Sequence, residues 1–179
     1  MRSELRQRKL DRAFGQMDVR GYGEVERADL LGLGARLLVG FGQAPTSPYG
    51  RRIVEDLDRI WTLLTTEGGD EKRLTREQFH ERMAAALIEG DRFGQVCLPA
   101  ARAVAELCDE DGDGLVGPAE FRMMLSAFGT PYDDIDAAFD RLDQRNEGVL
   151  TVEALVAAAR EFYTGDDPHA GGNWLFGPL

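Results

Sequence analysis

The sequence is poor in cysteine and in basic residues, and each shortage excludes a class of protein. Two cysteines among 179 residues cannot build a disulfide framework. Lysine and arginine number 21 against 32 aspartates and glutamates, and the net charge of −11 argues against a nucleic-acid-binding face. No apolar run approaches the roughly 20 residues of a membrane span. What remains is an acidic chain, 43% hydrophobic, with enough apolar residues for a core and a charge that suits cations.

The N-terminal segment and the two cysteines both favour the cytoplasm. Residues 1–10 are charged and no apolar stretch follows them, so we expect no secretory signal. Cys97 and Cys108 fall on one predicted helix, about 16 Å apart at 1.5 Å per residue, which is too far for a disulfide. We therefore expect two buried thiols in a reducing compartment, and a cytoplasmic protein.

Helical periodicity recurs along the chain, whereas strand alternation does not. Eight apolar stripes with spacings of three and four residues include Phe14, Leu33, Leu57, Met83, Val104, Leu125, Phe139 and Val156. Polar loops that contain glycine alternate with connecting segments rich in Gly and Pro. The polar loops are 18–29, 67–78, 109–120 and 143–154. This alternation predicts an all-α protein built from a fourfold helix–loop–helix repeat, with the boundary between two lobes near 89–95.

The loop DEDGDGLVGPAE, residues 109–120, has the spacing of a divalent-cation site. A 12-residue loop of this kind supplies oxygens from its first, third, fifth, seventh, ninth and twelfth positions, the ninth often through a water. The predicted ligands are Asp109, Asp111, Asp113, the carbonyl of Leu115, Gly117 through a water, and both oxygens of Glu120. Gly114 takes the sharp turn at the sixth position. This is the EF-hand pattern, so we predict a bound calcium ion, with magnesium as a competitor; a solvated acidic turn is the alternative.

The other three loops have lost ligand positions. Arginine and tyrosine replace two ligands of 18–29, lysine and glutamine replace the glycine and the last ligand of 67–78, and 143–154 has arginine at its third position and alanine at its twelfth. Each degenerate loop thus carries an internal cation, Arg20, Lys72 or Arg145, which we predict pairs with carboxylates of its own loop. Drift on a solvated surface is the alternative, since such pairs contribute about 0–1 kcal/mol. We expect these loops to bind no metal tightly.

Loops of this type pair through the apolar residue at their eighth position. Val25 is therefore predicted to face Leu74, and Val116 to face Leu150. The competent loop 109–120 would then lean on a degenerate partner, which removes most cooperativity between sites.

The four loops and the ending TGDDPHAGGNWLFGPL, residues 164–179, resemble the family of sarcoplasmic calcium-binding proteins, calexcitin and the bacterial calerythrins. The resemblance covers nearly the whole chain. It implies four EF-hand units paired into two lobes that pack as one compact globule, with a role in calcium buffering or signal modulation. We expect an N-terminal pair in 1–90, a C-terminal pair in 91–165, and a tail, 166–179, that folds back on the lobes. Relatives usually keep two or three competent loops, whereas this chain has one.

The tail holds three large apolar residues, Trp174, Leu175 and Phe176. We expect them to fill space between the lobes, because exposed they would form an apolar patch. A latch that moves when calcium binds and opens an apolar groove is the alternative.

We expect a monomeric intracellular calcium buffer or signal modulator with one competent site, rather than an enzyme, because no catalytic motif is present. Its partners would be calcium and an unidentified protein or small apolar ligand, with no nucleic acid. The alternative is a repurposed scaffold whose apolar inter-lobe cavity binds or transforms a small molecule, calcium being structural. His80 is expected at the surface rather than at a metal.

Overall fold

Eight α-helices joined in four helix–loop–helix units form the described part of the computed structural model, which comprises residues 3–66, 71–89 and 92–179. The helices are α1 (Glu4–Met17), α2 (Arg27–Gly40), α3 (Pro48–Thr66), α4 (Arg76–Ala84), α5 (Leu98–Cys108), α6 (Pro118–Ala127), α7 (Tyr132–Leu142) and α8 (Val152–Thr164). The predicted all-α class is thereby confirmed. None of the helices within these residues is long and apolar enough to cross a bilayer.

Several helices begin at residues whose side chains accept from free backbone N–H groups, α1 and α8 among them. Ser3 accepts from the backbone of Arg6 at the start of α1, and Thr151 accepts from Ala154 at the start of α8. Pro99 lies in the first turn of α5, where its missing N–H removes no helical bond. Short π-helical turns, Ala85–Glu89 and Phe93–Cys97, extend α4 and precede α5, so the helices run past the ends that apolar spacing marks.

Two short antiparallel ribbons tie the loops together in pairs. Strand β1 (Glu24–Glu26) pairs with β2 (Arg73–Thr75), and β3 (Leu115–Val116) pairs with β4 (Leu150–Thr151). The register places Val25 opposite Leu74 and Val116 opposite Leu150. Both predicted pairings are confirmed, and all four side chains are buried because they point into the core beneath the loops.

The predicted apolar stripes form one core that runs through both halves of the chain. Its largest fully buried side chains include five phenylalanines, namely Phe14, Phe79, Phe93, Phe121 and Phe162. Cys97 and Cys108 are buried free thiols, as predicted. Burial raises the pKa of Cys97 to about 12, so this thiol stays neutral at physiological pH.

The C-terminal tail lies on the core, but its three large residues are not equally buried. Leu175 and Phe176 are each 4% exposed, and the Phe176 ring packs on Phe128 at 4.7 Å and edge-on to Phe162 at 4.9 Å between ring centroids. Trp174 is only partly buried, and the guanidinium of Arg141 lies 4.9 Å from its ring centroid. The prediction that all three residues fill the interior is therefore wrong for Trp174, which stays partly exposed at the surface beside Arg141.

Helix α1 holds the tail and the end of α8 through basic side chains. The buried Lys9 donates from Nζ to the carbonyls of Glu161 (3.1 Å) and Gly165 (3.0 Å). Arg12 donates to the carbonyl of Phe176 at 3.3 Å. These donors satisfy carbonyls at a helix C-terminus and in the tail, so the first and last segments of the chain are joined.

His80 is more enclosed than predicted. Its side chain is 13% exposed, and Nε2 lies 3.3 Å from Oδ1 of Asp11. Helix α4 packs against α1, so a residue next to the core stripe lies between two helices instead of facing solvent.

Candidate metal centre

Loop 109–120 connects α5 to α6 and brings three carboxylates together. The carboxylate oxygens of Asp109, Asp111 and Asp113 include a set that lies within 4.8 Å of one another. Asp109 is half-buried, and the other two are exposed. Among the described residues, this is the group of three or more potential ligands close enough to share one metal ion. The predicted spacing therefore converges in space for these three residues.

Backbone N–H groups hold the aspartates in place. Asp109 accepts from Gly112 at 2.9 Å through Oδ1 and from Gly114 at 2.8 Å through Oδ2. Asp113 accepts from the N–H of Leu115 at 2.8 Å. Each carboxylate is thus oriented by the loop itself, so binding a cation would require little further ordering of these side chains.

The loop needs two left-handed residues, and glycine occupies both. Gly112 has φ of 76° and Gly114 has φ of 82°, a region that side-chain-bearing residues rarely adopt. The carbonyl of Gly114 accepts from Val152 at 3.0 Å across the β3–β4 ribbon. The tight turn is therefore fastened to the start of α8 as well as to Asp109.

Glu120 lies in the first turn of α6, and its carboxylate is not part of the three-aspartate group. Its Oε2 instead lies beside Gly117, where an added Cβ would come within 2.8 Å of it. The structure thus brings together three of the predicted side-chain ligands, places Leu115 in β3 directly after them, and leaves Glu120 at the edge of the site.

The donor set suits a hard cation. Calcium takes six to eight oxygens in a flexible shell, and carboxylates with a backbone carbonyl are the oxygens that this loop offers. Three carboxylates in such proximity repel one another without a counter-ion. The neighbouring thiol offers no competing soft ligand, because burial, reinforced by Glu120 and Glu110, raises the pKa of Cys108 and keeps it protonated.

Loop 18–29 keeps the backbone of a metal loop while an arginine takes the place of ligands. Asp18 accepts from Tyr22 and Gly23, both at 2.8 Å, and its contact with Gly23 at the sixth position matches that of Asp109 with Gly114. Arg20 donates from Nη2 to Oδ1 of Asp29 at 2.9 Å and lies over the Tyr22 ring. The prediction that Arg20 pairs with a carboxylate of its own loop is confirmed.

The two other degenerate loops form different ion pairs. Glu71 accepts from Arg82 at 3.0 Å, which ties loop 67–78 to helix α4. Residues 67–70 lie outside the described part of the chain, so the pairing of Lys72 stays a prediction. In loop 143–154, Arg145 lies 4.0 Å from Glu147, a contact between exposed groups at the limit of an ion pair.

Glu153, one position before the end of loop 143–154, is held away from that loop. Arg102 of α5 donates to both of its carboxylate oxygens, at 2.6 and 3.0 Å. This fork fixes α8 against α5 and engages both oxygens that a metal would need. Sequence spacing alone does not find this contact, because the partners are far apart along the chain.

An apolar cavity lies between the two halves of the chain. Its volume is about 120 Å³, and α1, α2, α3, α5 and α8 all contribute to its walls. Leu175 and Phe176 of the tail form part of the lining, while Gln16, Cys97 and Tyr163 are the lining residues with polar groups. Burial raises the pKa of Tyr163, so its hydroxyl stays protonated and can donate a hydrogen bond.

Comparison with known proteins finds relatives over nearly the whole chain. The sequence is 28% identical to calerythrin of Saccharopolyspora erythraea over 162 residues, which covers 88% of this chain and 91% of calerythrin. No family model matches the chain.

Two solved structures share its overall shape. A calcium-binding protein of Streptomyces coelicolor, studied for prokaryotic calcium-mediated regulation, superposes with a TM-score of 0.73 at 29% identity, covering 90% of this chain and 99% of that one. The coelenterazine-binding protein of Renilla muelleri superposes with a TM-score of 0.68 at 19% identity, covering 99% and 100%. The second likeness, at this identity, concerns the fold alone.

Proposed function

We propose that this chain, which is similar to calerythrin, is an EF-hand protein that binds one calcium ion in loop 109–120 and acts as an intracellular calcium buffer or signal modulator. The observation that carries this proposal is the three-aspartate group, whose oxygens lie within 4.8 Å of one another. Asp109, Asp111, Asp113, the Leu115 carbonyl and Glu120 are the proposed ligands. Magnesium competes, but the two oxygens of Glu120 favour calcium because magnesium demands a tighter octahedron.

The degenerate loops support a stoichiometry of one. Arg20 already neutralises Asp29, and Arg102 already engages Glu153. A cation that entered loop 18–29 would have to displace the Arg20 guanidinium from Asp29, whereas in loop 143–154 the nearest closing carboxylate is already held by α5. The protein is proposed to be monomeric and cytoplasmic, with the tail 166–179 fastening the two lobes together.

Calorimetric titration of metal-free protein with calcium, repeated in excess magnesium, tests this proposal. We expect one site, with an affinity between about 10⁻⁷ and 10⁻⁵ M. Glu120→Gln should abolish most of the binding, because the substitution removes the bidentate ligand. Asp18→Asn is the matched control in a degenerate loop and should leave calcium binding nearly unchanged. Two or more sites in the wild type, or equal losses in the two variants, would contradict the proposed site.

The cavity supports a second candidate function, the binding of a small apolar molecule with calcium as a structural ion. Ligand pockets commonly measure about 300–1,000 Å³, whereas a dry cavity of about 150 Å³ accepts benzene. The cavity volume of about 120 Å³ therefore limits a ligand to one small ring. A rise in the melting temperature with benzene, lost in Ala101→Leu, would support this candidate; an unchanged melting temperature would count against it.

A further inference from the structure

Arg36 of α2 makes two hydrogen bonds that join three helices. Its Nε donates to the carbonyl of Ala127 at 2.9 Å, and its Nη2 donates to the carbonyl of Gln16 at 2.7 Å. Ala127 is the last residue of α6, and Gln16 lies in the last turn of α1. Both acceptors are therefore carbonyls at helix C-termini, which have no partner within their own helix.

The burial of the two acceptor carbonyls strengthens the hydrogen bonds from Arg36. Gln16 and Ala127 are 6% and 8% exposed, so their carbonyls have little access to water as a substitute partner. Arg36 brings a full positive charge to two helix C-termini, where the helix dipole favours a cation. Partial burial lowers the pKa of Arg36, opposed by Asp29, but an arginine keeps its charge at any physiological pH.

Helix α6 connects this contact to the metal centre. Glu120 lies in the first turn of α6, whereas Arg36 is bonded to its last residue, so the two residues act on opposite ends of one helix. A ten-residue helix is about 15 Å long and moves as a rigid unit. A displacement of its first turn therefore has to be accommodated at the end that Arg36 holds.

We propose that Arg36 is a positioning residue that holds α6 in the conformation described here and thereby opposes calcium binding in loop 109–120. This inference rests on the proposed function. The Glu120 carboxylate is not part of the three-aspartate group, and we expect its engagement with the ion to shift the first turn of α6 toward the loop. The opposite end of α6 then pivots and stretches the bonds from Arg36 to Ala127 and Gln16. Calcium binding is thus coupled to the C-terminus of α1 in the other half of the chain.

Thermodynamic linkage makes the proposal measurable. If calcium binding weakens the Arg36 contacts, a variant without them binds calcium more tightly. Arg36→Met keeps the length of the side chain but removes its donors, and we expect its calcium dissociation constant to fall about tenfold, the effect of losing part of a charged hydrogen bond. Arg36→Lys should give an intermediate value. Arg27→Met is the matched control, because Arg27 lies on the same helix and pairs with Asp58 of α3 instead of α6.

A second measurement uses the wild-type protein and does not depend on any variant folding. Hydrogen exchange by mass spectrometry should show that calcium accelerates exchange in the last turn of α1, where Asp18 donates to Phe14. A calcium dissociation constant that is unchanged or higher in Arg36→Met would overturn the proposal. So would a hydrogen-exchange rate in the last turn of α1 that is the same with and without calcium. Wild-type protein that binds no calcium would instead refute the proposed function on which it depends.

Discussion

The loop 18–29 should become a second calcium site when its lost ligands are restored. Arg20→Asp together with Tyr22→Asp places carboxylates at the third and fifth positions. The backbone is already in place, because Asp18 accepts from the N–H of Gly23 as Asp109 does from Gly114, and Gly21 and Gly23 have φ of 68° and 75°. What separates this loop from the competent one is therefore its donor oxygens rather than its geometry.

The expected magnitude follows from the contacts that change. The double variant loses the ion pair between Arg20 and Asp29, and since the arginine side chain is 54% exposed, this loss should change the free energy of unfolding little. Calcium at a hundred times its dissociation constant adds about 2.7 kcal/mol of stability. The net gain corresponds to a rise of about 5 to 10 °C in the melting temperature for a chain of this size. The affinity should be only about 10⁻⁵ to 10⁻⁴ M, because Asp29 reaches less far than a closing glutamate.

The number of calcium ions bound per chain, measured by calorimetric titration, tests this prediction directly. The double variant should bind two calcium ions where the wild type binds one. Adding Asp29→Asn removes the last ligand of the restored loop and should return the count to one. If the double variant still binds a single ion, the reasoning that ligand identity alone silences this loop is wrong.

Two further predictions concern stability. Phe176→Ala should lower the free energy of unfolding in urea by about 3–5 kcal/mol because it empties a buried site, whereas Trp174→Ala, at a partly exposed residue, should cost clearly less; equal losses would contradict the unequal burial of the tail. Stability should also fall as pH rises from 9 to about 12, since the unfolded chain ionises Cys97 at its ordinary pKa while the folded chain keeps the thiol neutral. The difference in the free energy of unfolding between wild type and Cys97→Ala should change by up to about 1.4 kcal/mol per pH unit in this window. A constant difference would refute the raised pKa of Cys97.

Much of the architecture is encoded locally and can be predicted from the sequence. Apolar side chains recur every three to four residues along an amphipathic helix, so stripes such as that of Phe14 identify both a helix and its buried face. The pairing of Val25 with Leu74 and of Val116 with Leu150 follows from loop position alone. The carboxylate cluster of the candidate metal loop is predictable for the same reason, because its three aspartates lie close together along the chain.

Errors arise where a residue's surroundings come from a distant segment. His80 lies against Asp11 because α4 packs on α1, and Trp174 lies beneath Arg141 because the tail crosses α7. Neither contact has a periodic signature. The bidentate bond between Arg102 and Glu153 is of the same kind, since 51 residues separate the partners.

The sequence by itself determined the helices, the paired loops and the spacing of the candidate ligands in loop 109–120, since each depends on residues near one another along the chain. Only the tertiary structure decided where α6 is held, because Arg36, Gln16 and Ala127 meet through the packing of three helices. It also decided that the Glu120 carboxylate is not part of the three-aspartate group. Ligand identity is thus a local property of the chain, whereas the free energy of bringing the ligands together depends on contacts across the whole fold.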